Sequence, residues 1–280
     1  MTRTAREAVR AATDRLEAVS YTPELDAELL MAHCLKLSRS DYLLKGKELP
    51  EPADFWPMVE RRALYEPVAY ILGSQPFWTI NLKVRPGVLI PRQDSETLIE
   101  AALGYFGPNG PDMILDIGSG PGTLLLAALD EWPRALGVGI ERSALARELA
   151  EQNADALDME PRTMWFRRDW NEENWWLNIG GPFDLILCNP PYIEVSTELV
   201  PQVRDYEPHE ALFAGPDGLD DYRRIIPVLP RLLAPGGVAI LEIGWLQAKI
   251  VTNIAEAHGF SVRLFHDLGG RDRALLLEQA

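Results

Sequence analysis

The sequence predicts an α/β fold in which a small helical domain precedes a doubly wound, mostly parallel sheet. Beyond residue 112, short apolar runs alternate with helical segments, which is the pattern of parallel strands joined by crossover helices. The first 73 residues instead repeat apolar side chains at helical spacing. Residues 77–84 change to the two-residue period of a strand. These observations divide the chain into a helical domain, a linker and a sheet domain.

The helical domain is predicted over residues 1–75. Val9 and Leu16 belong to an apolar series with steps of three and four residues, and a similar series follows Pro23. Gly73 ends the last helical run in the position of a C-terminal glycine. No residue pattern in this domain indicates chemistry. A docking module for a partner and a plain structural bundle both agree with it.

The linker is predicted to be a β-hairpin over residues 76–92. Residues 77–84 supply the first strand, Pro86 and Gly87 supply a turn, and residues 88–90 supply the second strand. We therefore expect two antiparallel strands between the domains.

The residues that follow the linker combine a helix start with an unexplained cation. Asp94 or Ser95 is expected to cap the helix that contains residues 96–103. Arg92 is a guanidinium just outside an element, and folding alone does not explain it. Arg92 is therefore a candidate contact to a ligand.

The sheet domain is predicted over residues 93–280. Its strands are expected at residues 113–117, 135–140, 163–167, 183–188, 237–242, 260–265 and 274–277. Ligands of doubly wound sheets bind beyond the carboxyl ends of the strands. The residues directly after each strand are therefore the candidates for a site.

The composition excludes several classes of function. A formal net charge of −15 opposes extended contact with nucleic acid, because such contact depends on Lys and Arg at the phosphates. No apolar run approaches the ~18 residues of a membrane helix. Cys34 and Cys188 form no paired motif, and the histidines show no metal-ligand spacing. We expect a cytoplasmic protein with no metal, no membrane segment and no direct nucleic-acid contact.

Glycines alternate with other residues directly after the first predicted sheet strand. The loop, whose members are all candidate cofactor contacts, is Gly118-Ser119-Gly120-Pro121-Gly122. Such glycines let the backbone pass close beneath a ligand. A dinucleotide fingerprint would need its third glycine where Thr123 stands, so NAD is disfavoured. Pro121 is expected in the first turn of the following helix.

Acidic and aromatic residues near the ends of the first three sheet strands complete the cofactor site. Asp116 would repel phosphates but could accept hydrogen bonds from an ammonium group. Glu141 ends the second strand, where a carboxylate can take both ribose hydroxyls. Asp169 and Trp170 would flank an adenine with a carboxylate and a ring. An adenosine ligand with an ammonium and no phosphates is S-adenosylmethionine, which we expect as the cofactor.

The fourth sheet strand stops at the motif Asn189-Pro190-Pro191-Tyr192. Consecutive prolines cannot continue a central strand, so the chain leaves the sheet there. The Asn189 side-chain oxygen and the carbonyls around Pro190 form a patch of hydrogen-bond acceptors. This patch suits a planar nitrogen with two N–H donors, either an amide or an exocyclic amine. Tyr192 offers a flat face to pack on that group.

With these motifs together, the chain resembles the PrmC/HemK family. Its members are class I, S-adenosylmethionine-dependent methyltransferases that modify a glutamine of peptide chain release factors. The resemblance covers most of the chain and includes further motifs at residues 66–73, 89–96, 206–208, 217–219 and 241–244. The Asn-Pro-Pro-Tyr motif alone also occurs in adenine methyltransferases. Its combination with the other motifs makes the match specific.

The resemblance implies a Rossmann-like catalytic domain and a helical domain that helps to hold the release factor. The implied reaction is methyl transfer to the side-chain amide nitrogen (N5) of the glutamine in the Gly-Gly-Gln loop, which modulates translation termination. We expect Asn189, Pro190 and Tyr192 to act in catalysis by positioning the amide, with Asn189 also touching the cofactor. The further residues expected to contact the substrate are Pro191, Arg92 and Glu207.

The sequence departs from the family pattern at a few positions. The family usually has Asp where Glu141 stands and often has a small residue in place of Pro121. It commonly has Pro-Asp-Thr at the positions of Gln93-Asp94-Ser95. Glu141 keeps the carboxylate, so we expect ribose binding to be preserved.

Two other functions agree with parts of the sequence. An adenine-N6 methyltransferase acting on DNA or RNA would use the same acceptor patch for an adenine amino group. The net charge of −15 and the lack of a basic recognition region oppose it. A protein that binds S-adenosylmethionine and a partner without catalysis would have no need for the acceptor patch.

Overall fold

The structure is a computed structural model that describes residues 3–279. Within these residues the chain forms two compact units. The helical unit comprises residues 3–74 and Leu199–Glu207, and the sheet unit comprises Gln75–Glu198 and residues 208–279. The outer ends of the first and last predicted domains, residues 1 and 280, lie outside the described residues. No helix between residues 3 and 279 has the length and apolar character needed to cross a membrane.

Helices form the helical unit, as the apolar spacing predicts. They are α-helices Ala5–Leu16, Pro23–Cys34, Arg39–Asp41, Phe55–Ala63 and Val68–Leu72, a π-helix Tyr42–Gly46, and a one-turn helix Pro201–Arg204. Thr4 starts the first of them, because its hydroxyl accepts from the Glu7 N–H while the Glu7 carboxylate accepts from the Thr4 N–H. Gly73 ends the last helix before the sheet unit with a φ of 73°, which confirms its predicted role.

A buried ion pair links distant parts of the helical unit. Arg62 donates to Asp26 at 2.7 Å, and both side chains are buried. The same guanidinium donates to the Gln202 side chain at 3.2 Å. Tyr206 adds a hydrogen bond to the Leu64 carbonyl at 2.8 Å. Leu199–Glu207 therefore packs with the helical unit, although the sequence analysis assigned it to the sheet domain.

The linker hairpin lies earlier than predicted. Its strands are β1 (Ser74–Phe77) and β2 (Ile80–Lys83), which pair as a separate two-stranded sheet. The chain reverses between them, and Trp78 adopts a left-handed backbone conformation with a φ of 53°. The expected strand at residues 88–90 is wrong, because the backbone there is irregular. A positive φ at a tryptophan is rare, so the sequence carried no sign of this turn.

The large sheet of the sheet unit contains seven strands within the described residues. They are β3 (Met113–Ile117), β4 (Leu136–Glu141), β5 (Thr163–Arg167), β6 (Phe183–Cys188), β7 (Leu233–Glu242), β8 (Phe260–His266) and β9 (Asp272–Gln279). Their order across the sheet is β5-β4-β3-β6-β7-β9-β8. The strands from β5 to β7 are parallel, and β9 runs antiparallel to both of its neighbours. This confirms the predicted doubly wound, mostly parallel sheet.

Helices cover both faces of the sheet. They are Glu96–Phe106, Thr123–Glu131, Ala144–Ala156, Asp220–Ile225, Leu229–Leu232 and Ala248–Glu256. The central strands alternate between two apolar clusters, so that Leu115 and Ile186 belong to one and Ile114 and Leu185 to the other. Burial on both faces explains why these strands read as continuous apolar runs.

Candidate active site

The carboxyl ends of the parallel strands meet at one edge of the sheet unit. β3 lies between β4 and β6, and this is the point at which the order of strands along the sheet changes direction. A cavity opens there. We call it the main cavity; the predicted site residues that line it are Gly118, Gly120, Glu141, Trp170, Asn189 and Pro191.

The glycine loop forms one wall of the main cavity. Gly118 has a φ of 76°, and a Cβ at this position would lie 3.0 Å from the Trp170 ring. Only a glycine therefore lets the backbone pass under that ring without a clash. Gly122 is the N-cap of the next helix, which starts at Thr123. Pro121 thus precedes the helix instead of occupying its first turn, and its carbonyl accepts from the Asn153 amide at 2.9 Å.

Asp116 is a fully buried carboxyl group beneath the loop. One of its oxygens, Oδ2, accepts from the Leu125 N–H at 3.1 Å, whereas Oδ1 has no hydrogen-bond partner. Burial raises the pKa of Asp116 from 3.8 to about 7, and the nearby Glu141 acts in the same direction. The Ser119 hydroxyl is likewise buried without a partner. Two unsatisfied polar atoms at one place indicate a position for a polar ligand.

Glu141 presents a carboxylate to the main cavity from the end of β4. Its Oε2 accepts from the Gly120 N–H at 2.9 Å and its Oε1 accepts from the Ser143 N–H at 2.7 Å. These bonds hold the side chain in one orientation between the glycine loop and the next helix. Burial raises the pKa of Glu141 despite both backbone bonds.

Asp169 and Trp170, in the loop after β5, have different surroundings. The Trp170 ring lines the main cavity, and its indole N–H donates to Asp221 at 2.8 Å. Asp169 accepts from the backbone and side chain of Asn171, at 2.9 and 2.7 Å, and faces Arg142 at 3.9 Å. Its carboxylate is engaged in these local contacts and does not line the cavity.

Two smaller pockets adjoin the main cavity. The first, which we call the acid pocket, is lined by residues that include Arg92, Ser95, Asp116, Ser119 and Asn189. The second, the proline pocket, is lined by residues that include Arg92, Asn189, Pro190, Tyr192 and Glu242. Asn189 lines all three spaces and therefore stands where they join.

A chain of hydrogen bonds fixes the side chain of Asn189. Its amide nitrogen donates to the Ser95 hydroxyl at 3.1 Å. The Ser95 hydroxyl donates to Oε2 of Glu242, and the Tyr192 hydroxyl donates to Oε1 at 3.2 Å. The Asn189 amide nitrogen is thus directed at Ser95, which leaves its oxygen as an acceptor for another group.

Ser95 differs from its predicted role as a helix cap. It occupies the N-cap position of the helix Glu96–Phe106, but neither it nor Asp94 makes a side-chain capping bond there. Ser95 is only 2% exposed and its hydroxyl is used by Glu242. Asp94 instead pairs with Arg273 at 3.1 Å.

Glu242 is a buried carboxyl group between Ser95 and Tyr192. Burial is the largest effect on its pKa and raises it from 4.5 to about 7, against the Ser95 bond and the charge of Arg273. Burial and the neighbouring Glu242 also raise the pKa of Tyr192, so its hydroxyl remains a donor at neutral pH.

Gln247, in the loop after β7, is hydrogen-bonded to Tyr192 and to the loop at Gly218. Its side-chain oxygen accepts from the Gly244 N–H at 3.0 Å. Its side-chain nitrogen donates to the carbonyls of Tyr192 at 3.0 Å and Gly218 at 3.2 Å. These bonds fix the backbone at Tyr192.

The remaining predicted contacts lie in different units. Arg92 lines the acid and proline pockets beside Asn189. Glu207 is 5% exposed and belongs to the helical unit. Its role as a substrate contact stays a prediction.

The sequence reasoning assigned no role to Glu242 or Gln247. Glu242 is the last residue of β7, so the strand-end rule that singled out Glu141 also applied to it. Gln247 does not end a strand, and its role depends on three carbonyl and N–H groups that the fold brings together.

Comparisons with known proteins find relatives over nearly the whole chain. Residues 7–73 match the family model described as the PrmC N-terminal domain, and residues 101–203 match the methyltransferase small domain. The release factor glutamine methyltransferase of Caulobacter vibrioides is 38% identical over 287 residues, covering 99% of this chain and 96% of that protein. The one from Rhodospirillum rubrum is 40% identical over 260 residues, covering 91% and 78%. A solved methyltransferase structure from Pyrococcus furiosus shares the fold, with a TM-score of 0.51, 16% identity, and coverage of 70% of this chain and 87% of that one.

Proposed function

Since the chain belongs to the release factor glutamine methyltransferase family, we propose that it methylates a glutamine side-chain amide of peptide chain release factors. The methyl donor is S-adenosylmethionine, and the acceptor is the amide nitrogen in the Gly-Gly-Gln loop. The observation that carries this proposal is the position of Asn189. It presents an acceptor oxygen where the main cavity meets the proline pocket.

The residues around the main cavity fit S-adenosylmethionine. The unpaired Oδ1 of Asp116 is a buried acceptor that an ammonium group would satisfy. Glu141 is held with its carboxylate at the cavity wall, where it suits two ribose hydroxyls. Trp170 offers a ring for the adenine face, and Gly118 leaves space beneath it. When bound, the cofactor supplies a methyl group activated by a sulfonium.

The acceptor patch can orient a substrate amide, which is a weak nucleophile. An amide nitrogen shares its lone pair with the carbonyl, so it reacts only when it is held in a suitable orientation. The oxygen of Asn189 and the carbonyl of Pro190 can each accept one N–H of the substrate amide. Correct orientation of reacting groups recovers roughly 7–11 kcal/mol of an activation barrier. Positioning therefore accounts for most of the chemistry assigned to these residues.

Tyr192 and Pro191 complete the acceptor side of the site. Tyr192 is held by Gln247 at its backbone and by Glu242 at its hydroxyl. Its ring is assigned to pack on the substrate amide and exclude water. No side chain is assigned as a general base, because the methylated nitrogen is far more acidic and releases its proton after transfer.

The protein substrate adds contacts beyond the glutamine itself. Arg92 is assigned to the substrate because it lines both pockets that adjoin the main cavity. The helical unit is assigned to hold the release factor, with Glu207 as a further contact. A cytoplasmic location follows from action on translation factors.

The experiment that tests this function measures transfer of labelled methyl groups from S-adenosylmethionine to a purified bacterial class I release factor. The control substrate has the Gly-Gly-Gln glutamine changed to alanine. Label on the first factor and none on the second is the expected result. Label on neither, with the cofactor still bound, would contradict the proposal and favour an adenine acceptor in nucleic acid.

Removal of the acceptor oxygen gives the first mutational prediction. Asn189→Ala should lower kcat at least a hundredfold, since the substrate amide loses one of its two positioning bonds. Cofactor affinity, measured by calorimetry, should fall by less than tenfold because Asp116, Glu141 and Trp170 remain. Turnover near that of the unchanged enzyme would be incompatible with the role assigned to Asn189.

A further inference from the structure

Glu242 is a buried carboxyl group at the end of β7, the strand next to the one that ends just before Asn189. β6 and β7 are parallel and pair Cys188 with Leu241, so Asn189 and Glu242 follow side by side. Glu242 is 1% exposed and does not reach Asn189 directly. Ser95, at the start of the helix Glu96–Phe106, joins them through two hydrogen bonds.

The direction of these hydrogen bonds is determined at Glu242. An ionised carboxylate can only accept, and Glu242 accepts from the hydroxyls of Ser95 and Tyr192. Ser95 has one hydroxyl proton and uses it for this bond. Its oxygen can therefore only accept from Asn189, which must turn its NH₂ group toward Ser95 and its oxygen away.

We propose that Glu242 is a positioning residue that acts through Ser95 to hold Asn189 with its acceptor oxygen toward the substrate amide. This inference rests on the proposed function and adds two residues to it. Without an acceptor at Glu242, Ser95 is free to donate to Asn189. The side-chain amide of Asn189 can then rotate so that its oxygen faces Ser95 and its NH₂ group faces the substrate. Asn189 would then present two N–H donors to a substrate group that itself has only N–H donors.

Glu242 also holds Tyr192, which lines the proline pocket. Its Oε1 accepts from Tyr192, so one carboxylate orients both the acceptor amide and the ring assigned to cover the substrate. Tyr222 donates to the backbone carbonyl of Glu242 at 2.8 Å, which anchors the end of β7. The position of the carboxylate is therefore set by the sheet and not by the ligand.

The ionisation of Glu242 depends on groups from several elements. Arg273 on β9 and the Ser95 and Tyr192 hydroxyls favour the carboxylate, whereas burial and Asp94 oppose it and leave its pKa at about 7. Cys188 and Tyr222 face it as buried, uncharged groups, since burial raises the pKa of each. Protonation below neutral pH gives Glu242 an O–H donor beside its remaining acceptor oxygen, so that it no longer forces Ser95 to donate to it. The relay to Asn189 should therefore be complete above pH 7 and lost as the pH falls.

Kinetics of four variants test the relay. Glu242→Gln replaces the acceptor with a group that also donates, and Ser95→Ala removes the link. Each should lower kcat for the release factor at least tenfold while the cofactor Kd changes less than twofold. Ser95→Thr keeps a hydroxyl and should restore kcat to within about threefold. Glu96→Gln is the matched control, because Glu96 bonds the Trp78 N–H outside the site.

The double variant separates the relay from unrelated damage. Glu242→Gln combined with Ser95→Ala should be no slower than the slower single variant, because both remove the same chain of bonds. The kcat of the unchanged enzyme should rise with pH around a midpoint near 7, and this step should be smaller in Ser95→Ala, in which Asn189 no longer responds to Glu242. Multiplied losses in the double variant, or an unchanged pH step, would overturn the proposal.

A spectroscopic readout tests the relay without turnover. The side-chain NH₂ signals of Asn189, identified by their loss in Asn189→Ala, should titrate with a midpoint near pH 7 in ¹⁵N spectra. Asp116 titrates in the same range and lines the acid pocket, so the shift must vanish in both Glu242→Gln and Ser95→Ala. A shift that persists in either variant, or none in the unchanged protein, would overturn the proposal. Lack of methyl transfer by the unchanged enzyme, with this titration present, would contradict the proposed function alone.

Discussion

Asp116 combines full burial with an oxygen that has no hydrogen-bond partner. Its pKa is 3.8 in the unfolded chain and about 7 in the folded one. Between these values the folded chain holds a proton that the unfolded chain has released, so the free energy of unfolding falls as the pH rises from about 4 to 7. A difference of this size corresponds to roughly 4 kcal/mol. The same unsatisfied charge is what a bound ammonium group would neutralise.

Asp116→Asn should therefore stabilise the cofactor-free protein and weaken its ligand binding. An amide keeps the bond from the Leu125 N–H but carries no charge, so we expect a gain on the order of 2 kcal/mol at pH 8. At pH 5, where Asp116 is already protonated, the gain should be close to zero. Urea unfolding at both pH values and calorimetry with S-adenosylmethionine measure the two effects.

The exposed Asp130→Asn serves as the control for this variant. Equal stabilisation of Asp116→Asn at pH 5 and pH 8 would show that the buried charge is not the cause.

Single residues at strand ends were the most predictable part of the site. Gly118, Glu141 and Asn189 follow or end strands whose apolar runs are clear in the sequence, and the structure brings them to one cavity. Ser95 was misread as a cap because its partner Glu242 lies 147 residues away. A local rule for helix starts gives no information on such a bond.

At the scale of elements, the loops after β6 and β7 hold each other in place. Gly218 has a φ of 70°, and a Cβ there would lie 2.4 Å from the Tyr192 carbonyl oxygen and 2.9 Å from the Gln247 amide nitrogen. The loop therefore passes too close to Tyr192 for any side chain. Packing of this loop, together with Gln247, sets the path of the chain through residues 189–192.

Gly218→Ala should displace Tyr192 and lower kcat about tenfold with little change in cofactor affinity. Gly236→Ala is the matched control, because its φ of 78° is similar but nothing lies within 4 Å of a Cβ. Both variants carry backbone strain of about 1–2 kcal/mol, and only the first adds a steric clash. Thermal unfolding measures the loss of stability caused by strain, and single-turnover methylation measures the loss of rate caused by the clash at Tyr192. Equal losses of rate in both variants would show that strain alone is the cause.

The strands were predicted better than the hairpin for a physical reason. β3, β5 and β6 have the predicted bounds because each is a buried apolar run between clear interruptions. The hairpin depends on a turn at Trp78, where the conformation is unfavourable for the residue and must be stabilised by tertiary contacts. The Trp78 N–H donates to Glu96 and its indole donates to Glu131, and neither contact can be read from a local pattern.

At the scale of the whole molecule, the chain returns from the sheet unit to complete the helical unit. Leu199–Glu207 returns to the helices through Gln202 and Tyr206. The bond between Arg62 and Gln202 spans 140 residues, so the apolar period of the first 73 residues gave no hint of it. The returning segment helps to line a cavity on the helical unit together with residues 17–21 and Tyr65.

Tyr21, at the rim of this cavity, gives a prediction about recognition of the protein substrate. Its side chain is 90% exposed, and exposed aromatic residues beside a cavity are common anchors at protein interfaces. If the helical unit holds the release factor, Tyr21→Ala should raise KM for the intact factor about tenfold and leave kcat unchanged. KM for a short Gly-Gly-Gln peptide should not change, because the peptide reaches only the acceptor site on the sheet unit.

Leu44→Ala is the control. It removes a side chain that is 85% exposed and does not line the cavity, so it should leave both KM values unchanged. A parallel rise in KM for factor and peptide would instead place the effect of Tyr21 at the acceptor site and remove the support for docking on this face.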